Sequence, residues 1–173
     1  DLTEYALAAF ANQKYDVSKQ IAAFGLSKKP RNAGYNRLAL YNSFELKQYD
    51  EAANYVDALV NKSDSVELTA NDYKYAGLVY TALKQYDNAI SYFNKQLEVT
   101  IDAAKKADVI KSLSDSYKGK GDFAKSLELY EQYLQMNPKV GINDYNGLAN
   151  IYRNQAACLL YTSPSPRDRT RSR

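Results

Sequence analysis

The chain has 173 residues, of which 45% are hydrophobic and 25% charged, which is the length and composition of a folded protein with a sizeable core. Its single cysteine and lack of histidine exclude an internal disulfide and any zinc site built from Cys and His ligands, and 17 of its residues are tyrosine. The formal charge of +3 is small, and no apolar run approaches the roughly 20 residues of a membrane span.

From Leu2 to Asn12, the residues Leu2, Tyr5, Ala6, Ala9 and Phe10 fall on one face at helical spacing. After a turn at Gln13-Lys14, a second stripe runs through Tyr15, Ile21, Ala22 and Leu26 and stops before Pro30. A second hairpin starts near Arg31 with Tyr35, Leu38, Ala39 and Asn42, turns at Lys47-Gln48, and continues with Tyr49, Ala52, Val56, Leu59 and Val60. Beyond the polar stretch 61–67, the third hairpin places Tyr73, Ala76, Gly77 and Tyr80 on its first helix. Its second helix carries Tyr86, Ala89, Ile90, Phe93 and Leu97. Gly77 and Ala89 are small because a large side chain would hold two crossing helices apart. The fourth hairpin carries Ile110, Leu113, Ser114 and Tyr117, turns at Gly121-Asp122, and continues with Phe123, Ser126, Leu127, Tyr130 and Leu134 to Asn137-Pro138. Asp102 and Asp122 are cap candidates. A fifth first helix holds Tyr145, Leu148, Ala149 and Tyr152, and its partner helix is expected from about residue 158.

The four turns are alike. Tyr15, Tyr49, Tyr86 and Phe123 each follow a short polar turn, at steps of 34, 37 and 37 residues. A period of that size marks stacked helical hairpins. Repeats are placed near 1–32, 33–69, 70–106 and 107–141, with a half repeat at 142–157.

The pattern resembles the tetratricopeptide repeat, whose motif asks for an aromatic, Leu-Gly or Leu-Ala, Tyr, a Gly-Asp-Tyr-like turn, a small residue, an aromatic and a final Pro. Tyr73, Ala76-Gly77, Tyr80, Tyr86, Ala89 and Phe93 match in that order. So do Ile110, Leu113-Ser114, Tyr117, Gly121-Asp122-Phe123, Ser126, Tyr130 and Pro138. Repeat one matches by Ala6, Tyr15 and Pro30, and repeat two shows Ala39-Leu40 and Ser43 where the helix A pair and its tyrosine belong. The resemblance implies an all-α fold, a right-handed α-solenoid of about 4.5 repeats, whose first helices line a groove for a peptide or partner helix.

The last residues read differently. Residues 158–168, CLLYTSPSPRD, resemble the in-frame translation of a common transposase sequencing adapter, so 158–173 are set apart as a non-native or disordered tail. Four of the 23 basic residues and one of the 20 acidic ones lie there, leaving 19 of each in residues 1–157. A neutral repeat array gives no electrostatic reason to expect a nucleic-acid partner.

In the family's register the groove positions are Arg37, Tyr41 and Phe44, then Lys74, Leu78 and Thr81, then Lys111, Asp115 and Lys118, and finally Asn146, Asn150 and Arg153. Arg37, Lys74 and Lys111 are equivalent, and three cations in one row suit a ligand with acidic and apolar side chains. The competing reading is a set of solvated charges balanced by Asp108 and Asp115. One branch of the family clamps a terminal carboxylate with Lys and Asn. Here the residue one turn after each cation is Tyr41, Leu78 or Asp115, never Asn, so that specificity is not carried over. Glu at Lys74 and Lys111 is expected to weaken binding without altering thermal stability. Most tyrosines are assigned to packing, with Tyr41, Tyr75, Tyr92 and Tyr133 off the core stripes. The half repeat is expected to leave Tyr145, Leu148 and Tyr152 half covered.

The function expected is a protein-interaction scaffold with protein or peptide partners, and with no nucleic acid, membrane insertion, metal or cofactor. The alternatives are the helical part of a larger cell-envelope or surface nutrient-binding protein, suggested by the Tyr- and Asn-rich character, and an RNA-binding helical repeat. No phosphate loop, GxGxxG or nucleophile elbow is present, so catalysis is not expected.

Overall fold

The computed structural model describes residues 2–64, 66–137 and 139–162, and every regular element among them is helical. Pro138 and the tail from residue 163 lie outside the described residues. The chain divides into two compact units at Thr100 and Ile101.

The first unit holds three hairpins. They are α1 (Leu2–Ala11) with α2 (Tyr15–Lys28), α3 (Ala33–Glu45) with α4 (Tyr49–Asp57), and α5 (Ala70–Ala82) with α6 (Tyr86–Val99). A π-helical turn, Ala58–Lys62, extends α4. Each helix packs on the next, and the first helices α1, α3 and α5 are also neighbours in turn. The recurring turn has one backbone solution. Gln13, Lys47 and Lys84 take left-handed φ values of 59°, 60° and 57°. In the second hairpin the Lys47 N–H bonds Phe44 O at 2.8 Å and the Gln48 N–H bonds Ser43 O at 2.8 Å. Equivalent pairs close the first and third turns, satisfying carbonyls that the helix end would otherwise orphan.

The small residues sit where each hairpin crosses. A Cβ on Gly77 would stand 2.5 Å from the Phe93 ring, which is 1% exposed. Burying such a ring contributes about 3 kcal/mol, more than the roughly 1 kcal/mol that glycine costs inside a helix. In the first hairpin the crossing is polar: the Ser18 hydroxyl donates to Ala6 O at 2.8 Å and accepts from Asn42 Nδ2 at 2.8 Å. Apolar cores flank it, Ala6, Ala22, Leu38 and Ala39 on one side and Leu40, Ala52, Val56, Leu59, Ala76 and Val79 further along.

The second unit comprises α7 (Ala103–Lys120), α8 (Phe123–Met136) and α9 (Ile142–Thr162). Asp102 and Asp122 both act as caps, accepting from the Lys105 and Lys125 N–H groups. Gly121, at φ +90°, makes the left-handed turn without the steric cost that the other three turns carry. Helix α9 differs from expectation. No second helix begins near residue 158; α9 instead continues through Cys158 to Thr162, because nothing from Ala156 to Leu160 breaks a helix. Among the described side chains of α9, Ile151 is the one that is fully buried, while Tyr145 and Tyr152 are exposed.

Candidate functional site

The projected positions can be followed from the backbone outward. In the first unit, Arg37 lies mid-way along α3 and reaches the start of α5, where Thr69 and Asp72 form a capping box. The Asp72 carboxylate accepts the Thr69 backbone N–H at 2.8 Å, Arg37 Nε at 2.7 Å, Arg37 Nη2 at 2.8 Å and the Tyr41 hydroxyl at 2.6 Å. Arg37 Nη2 also donates to Glu67 O at 3.1 Å. The Asp72 side chain is only 2% exposed, and its oxygens are fully satisfied. Burial pushes its pKa up, but hydrogen bonds from Arg37, Thr69 and Tyr41 outweigh that and leave it below the usual carboxylate value. Burial and the bond to Asp72 push the Tyr41 hydroxyl well above its ordinary value.

Around this ion pair runs an aromatic band. Tyr41 and Tyr75 stack at 4.1 Å between centroids and 20° between planes. Phe10 of α1 approaches Tyr41 at 6.1 Å, and Phe44 meets the Tyr75 ring edge-on at 5.5 Å. The Tyr75 hydroxyl donates to Glu45 at 2.8 Å. Tyr41, Phe44 and Leu78 are half-buried, as is Thr81, whose hydroxyl donates to Gly77 O. Lys74 is exposed and makes no ion pair among the described residues.

In the second unit the Lys111 ammonium donates to Asp144 at 3.0 Å and to the Tyr133 hydroxyl at 3.3 Å, and lies 4.6 Å from the Tyr133 ring centre. Asp144 also accepts the Tyr133 hydroxyl at 2.8 Å and the Gly141 backbone N–H at 3.0 Å. The Gly141 N–H, Lys111 and Tyr133 together hold the Asp144 pKa down at about 2. Burial lowers the Lys111 pKa, but its bonds to Asp144 and Tyr133 carry it above the usual lysine value. Asp115 pairs with Lys118, while Asn146, Asn150 and Arg153 are exposed along α9.

The row of three cations is therefore not a row of three free charges. Arg37 and Lys111 are held by Asp72 and Asp144, and neither Asp108 nor Asp115 provides their counter-charge. Asp72 stands 35 residues after Arg37, and Asp144 stands 33 after Lys111. Glu at position 111 would face Asp144, which argues against the expectation that this change leaves stability unaltered. Tyr133, expected off the core, is 5% exposed, and Tyr41, Tyr75 and Tyr92 are half-buried. Asp72 and Asp144 went unremarked in the sequence because an acid in a first helical turn reads as a cap. An acid 33 to 35 residues on follows both Arg37 and Lys111, but Asp108 stands 34 after Lys74, so the spacing alone does not tell a held cation from an exposed one.

Among the described residues, no group of three or more His, Cys, Asp or Glu side chains could hold a metal, and no helix is long and apolar enough to cross a membrane.

Residues 68–139 match the tetratricopeptide repeat family model. No curated protein matches in sequence. Among solved structures, the chain is similar to the C-terminal part of a TPR repeat-containing protein from Cytophaga hutchinsonii, with TM-score 0.73 and 17% identity over 89% of this chain. This chain spans 58% of that one. It is similar to MamA, with TM-score 0.74 and 15% identity over 90% of this chain and 81% of that chain. It is also similar to YrrB, described as a TPR protein with an unusual peptide-binding site, with TM-score 0.71 and 13% identity over 92% of this chain and 75% of that chain. At such identities the likeness is one of fold, and the all-α fold is that of TPR solenoid proteins.

Proposed function

We propose that this chain, tetratricopeptide repeats over residues 68–139, is a protein-interaction scaffold rather than a catalyst, and that it binds a segment of another protein on the face of α1, α3 and α5. The observation that carries this reading is the band of Phe10, Tyr41, Phe44 and Tyr75, half-buried on adjacent first helices beside an exposed Lys74. Such a face offers aromatic surface to apolar side chains while its polar groups are already satisfied within the chain. The peptide-binding site ascribed to YrrB lends the reading support at the level of the fold. Arg37 shapes this face through Asp72, and Tyr41, Phe44, Lys74 and Leu78 would meet the ligand.

The test is to map where peptides selected from a random displayed library bind. Backbone NMR shifts of the labelled chain should move mainly in 33–45 and 70–82. Shifts confined to α2, α4 and α6, or a library that enriches nothing, would remove the face from consideration.

A further inference from the structure

We infer that the segment received by the α1, α3 and α5 face is apolar and aromatic and carries a single carboxylate that pairs with Lys74, and is not an acidic run. The inference rests on the reading of this face as the binding surface and specifies its ligand.

It follows from a charge inventory. Helices α1, α3 and α5 contain two cations, Arg37 and Lys74, and three acids, Glu4, Glu45 and Asp72. Arg37 is spent: its guanidinium lies in a two-point bond with Asp72 and also donates to a backbone carbonyl. Withdrawing it would leave a nearly fully buried carboxylate without its counter-charge, so a ligand anion cannot recruit Arg37 cheaply. Asp72 is spent in the same contact, and Glu45 accepts the Tyr75 hydroxyl. One cation remains for a ligand, on helices whose formal balance is one negative charge. Such a surface repels a run of acids and has a place for one. Leu78 lies one turn after Lys74 on the same side of α5 and is half-buried, so it offers apolar surface beside a carboxylate bound at Lys74. The stacked Tyr41 and Tyr75 rings, 4.1 Å apart, lie on α3 and α5. Leu7 of α1 adds an exposed aliphatic side chain to the same three helices.

The experiment is a charge swap on the full chain. Peptides selected from a random displayed library against the wild type should carry aromatic or branched apolar residues and one Asp or Glu. In calorimetric titrations, replacing that acid by Lys should weaken binding by roughly tenfold. Lys74→Glu should weaken the original peptide by a similar factor and restore the Lys-bearing one, the pattern of a direct pair. Lys74 is exposed, so the variant should keep the wild-type melting temperature. Acid runs dominating the selection, or a Lys74→Glu chain with unchanged preference, would overturn the inference. If peptide shifts still map to 33–45 and 70–82 in that case, the binding face survives and only the Lys74 pairing falls. Shifts mapping elsewhere dispose of both.

Discussion

The junction from α3 to α5 in the first unit and the junction from α7 to α9 in the second do the same job with different parts. In each, a cation mid-way along a first helix reaches an acid in the opening turn of the next first helix, and a tyrosine hydroxyl joins the acid. The parts differ in depth. Arg37 grips Asp72 at two points with the carboxylate 2% exposed, whereas Lys111 makes one contact to an Asp144 that is 13% exposed, and is itself 38% exposed. The tyrosine comes from the same helix as the cation in the first case and from helix α8 in the second. A charge pair in water contributes little, while a buried one is costly to break because the surviving partner is stranded. Depth rather than pairing should therefore set what each junction contributes.

The largest test is the loss of each acid. Asp72→Ala should destabilise the chain by about 3 kcal/mol, the low end for a broken buried pair, because Arg37 keeps some contact with water. Asp144→Ala should cost about 1 kcal/mol. Chemical denaturation of the two variants reads both losses, and equal losses would refute depth as the deciding variable. Exchanging the cations sharpens the point. Arg37→Lys removes the fork that matches Asp72 and should cost about 1.5 kcal/mol, whereas Lys111→Arg should be tolerated to within about 0.5 kcal/mol.

The pH dependence has a fixed sign. Asp144 is ionised down to about pH 2 in the folded chain and titrates near pH 4 when unfolded. Its contribution is fully present above about pH 4 and is lost as pH falls towards 2, because protonation then favours the unfolded chain. The difference in melting temperature between the wild type and Asp144→Asn should accordingly shrink over that window. A difference independent of pH would mean that the carboxylate charge plays no part.

How much of this was legible depended on whether the information was local. Each hairpin is written within about 30 residues, by a turn, an aromatic after it and a small residue at the crossing, as with Lys84, Tyr86, Ala89 and Gly77. Periodicity alone retrieves such units. The fate of the charges was not local. Asp72 belongs to a capping box within its own helix, and nothing nearby in sequence says that Arg37 arrives from the preceding repeat. The place of Tyr133 is non-local for a related reason: its ring lies against Lys111 of α7 and its hydroxyl donates to Asp144 of α9. The extent of α9 through Thr162 was missed because the change in character at Cys158 precedes any residue that stops a helix.

The turns provide the finest contrast between the units, with the smallest expected effect. Lys84 and Gly121 occupy equivalent left-handed positions, at φ +57° and +90°. A side chain there brings Cβ towards the following carbonyl and costs about 1 kcal/mol, which glycine avoids. Glycine also loses more chain entropy on folding, and that offsets part of the gain. Lys84→Gly should therefore stabilise the chain, and Gly121→Ala destabilise it, each by about 0.5 kcal/mol. Thermal denaturation of the two single variants and their combination checks both signs. The sites lie on separate hairpins with no shared partner, so the two effects should add. A stabilising Gly121→Ala would show that backbone strain is not what distinguishes the second unit's turn from the three before it.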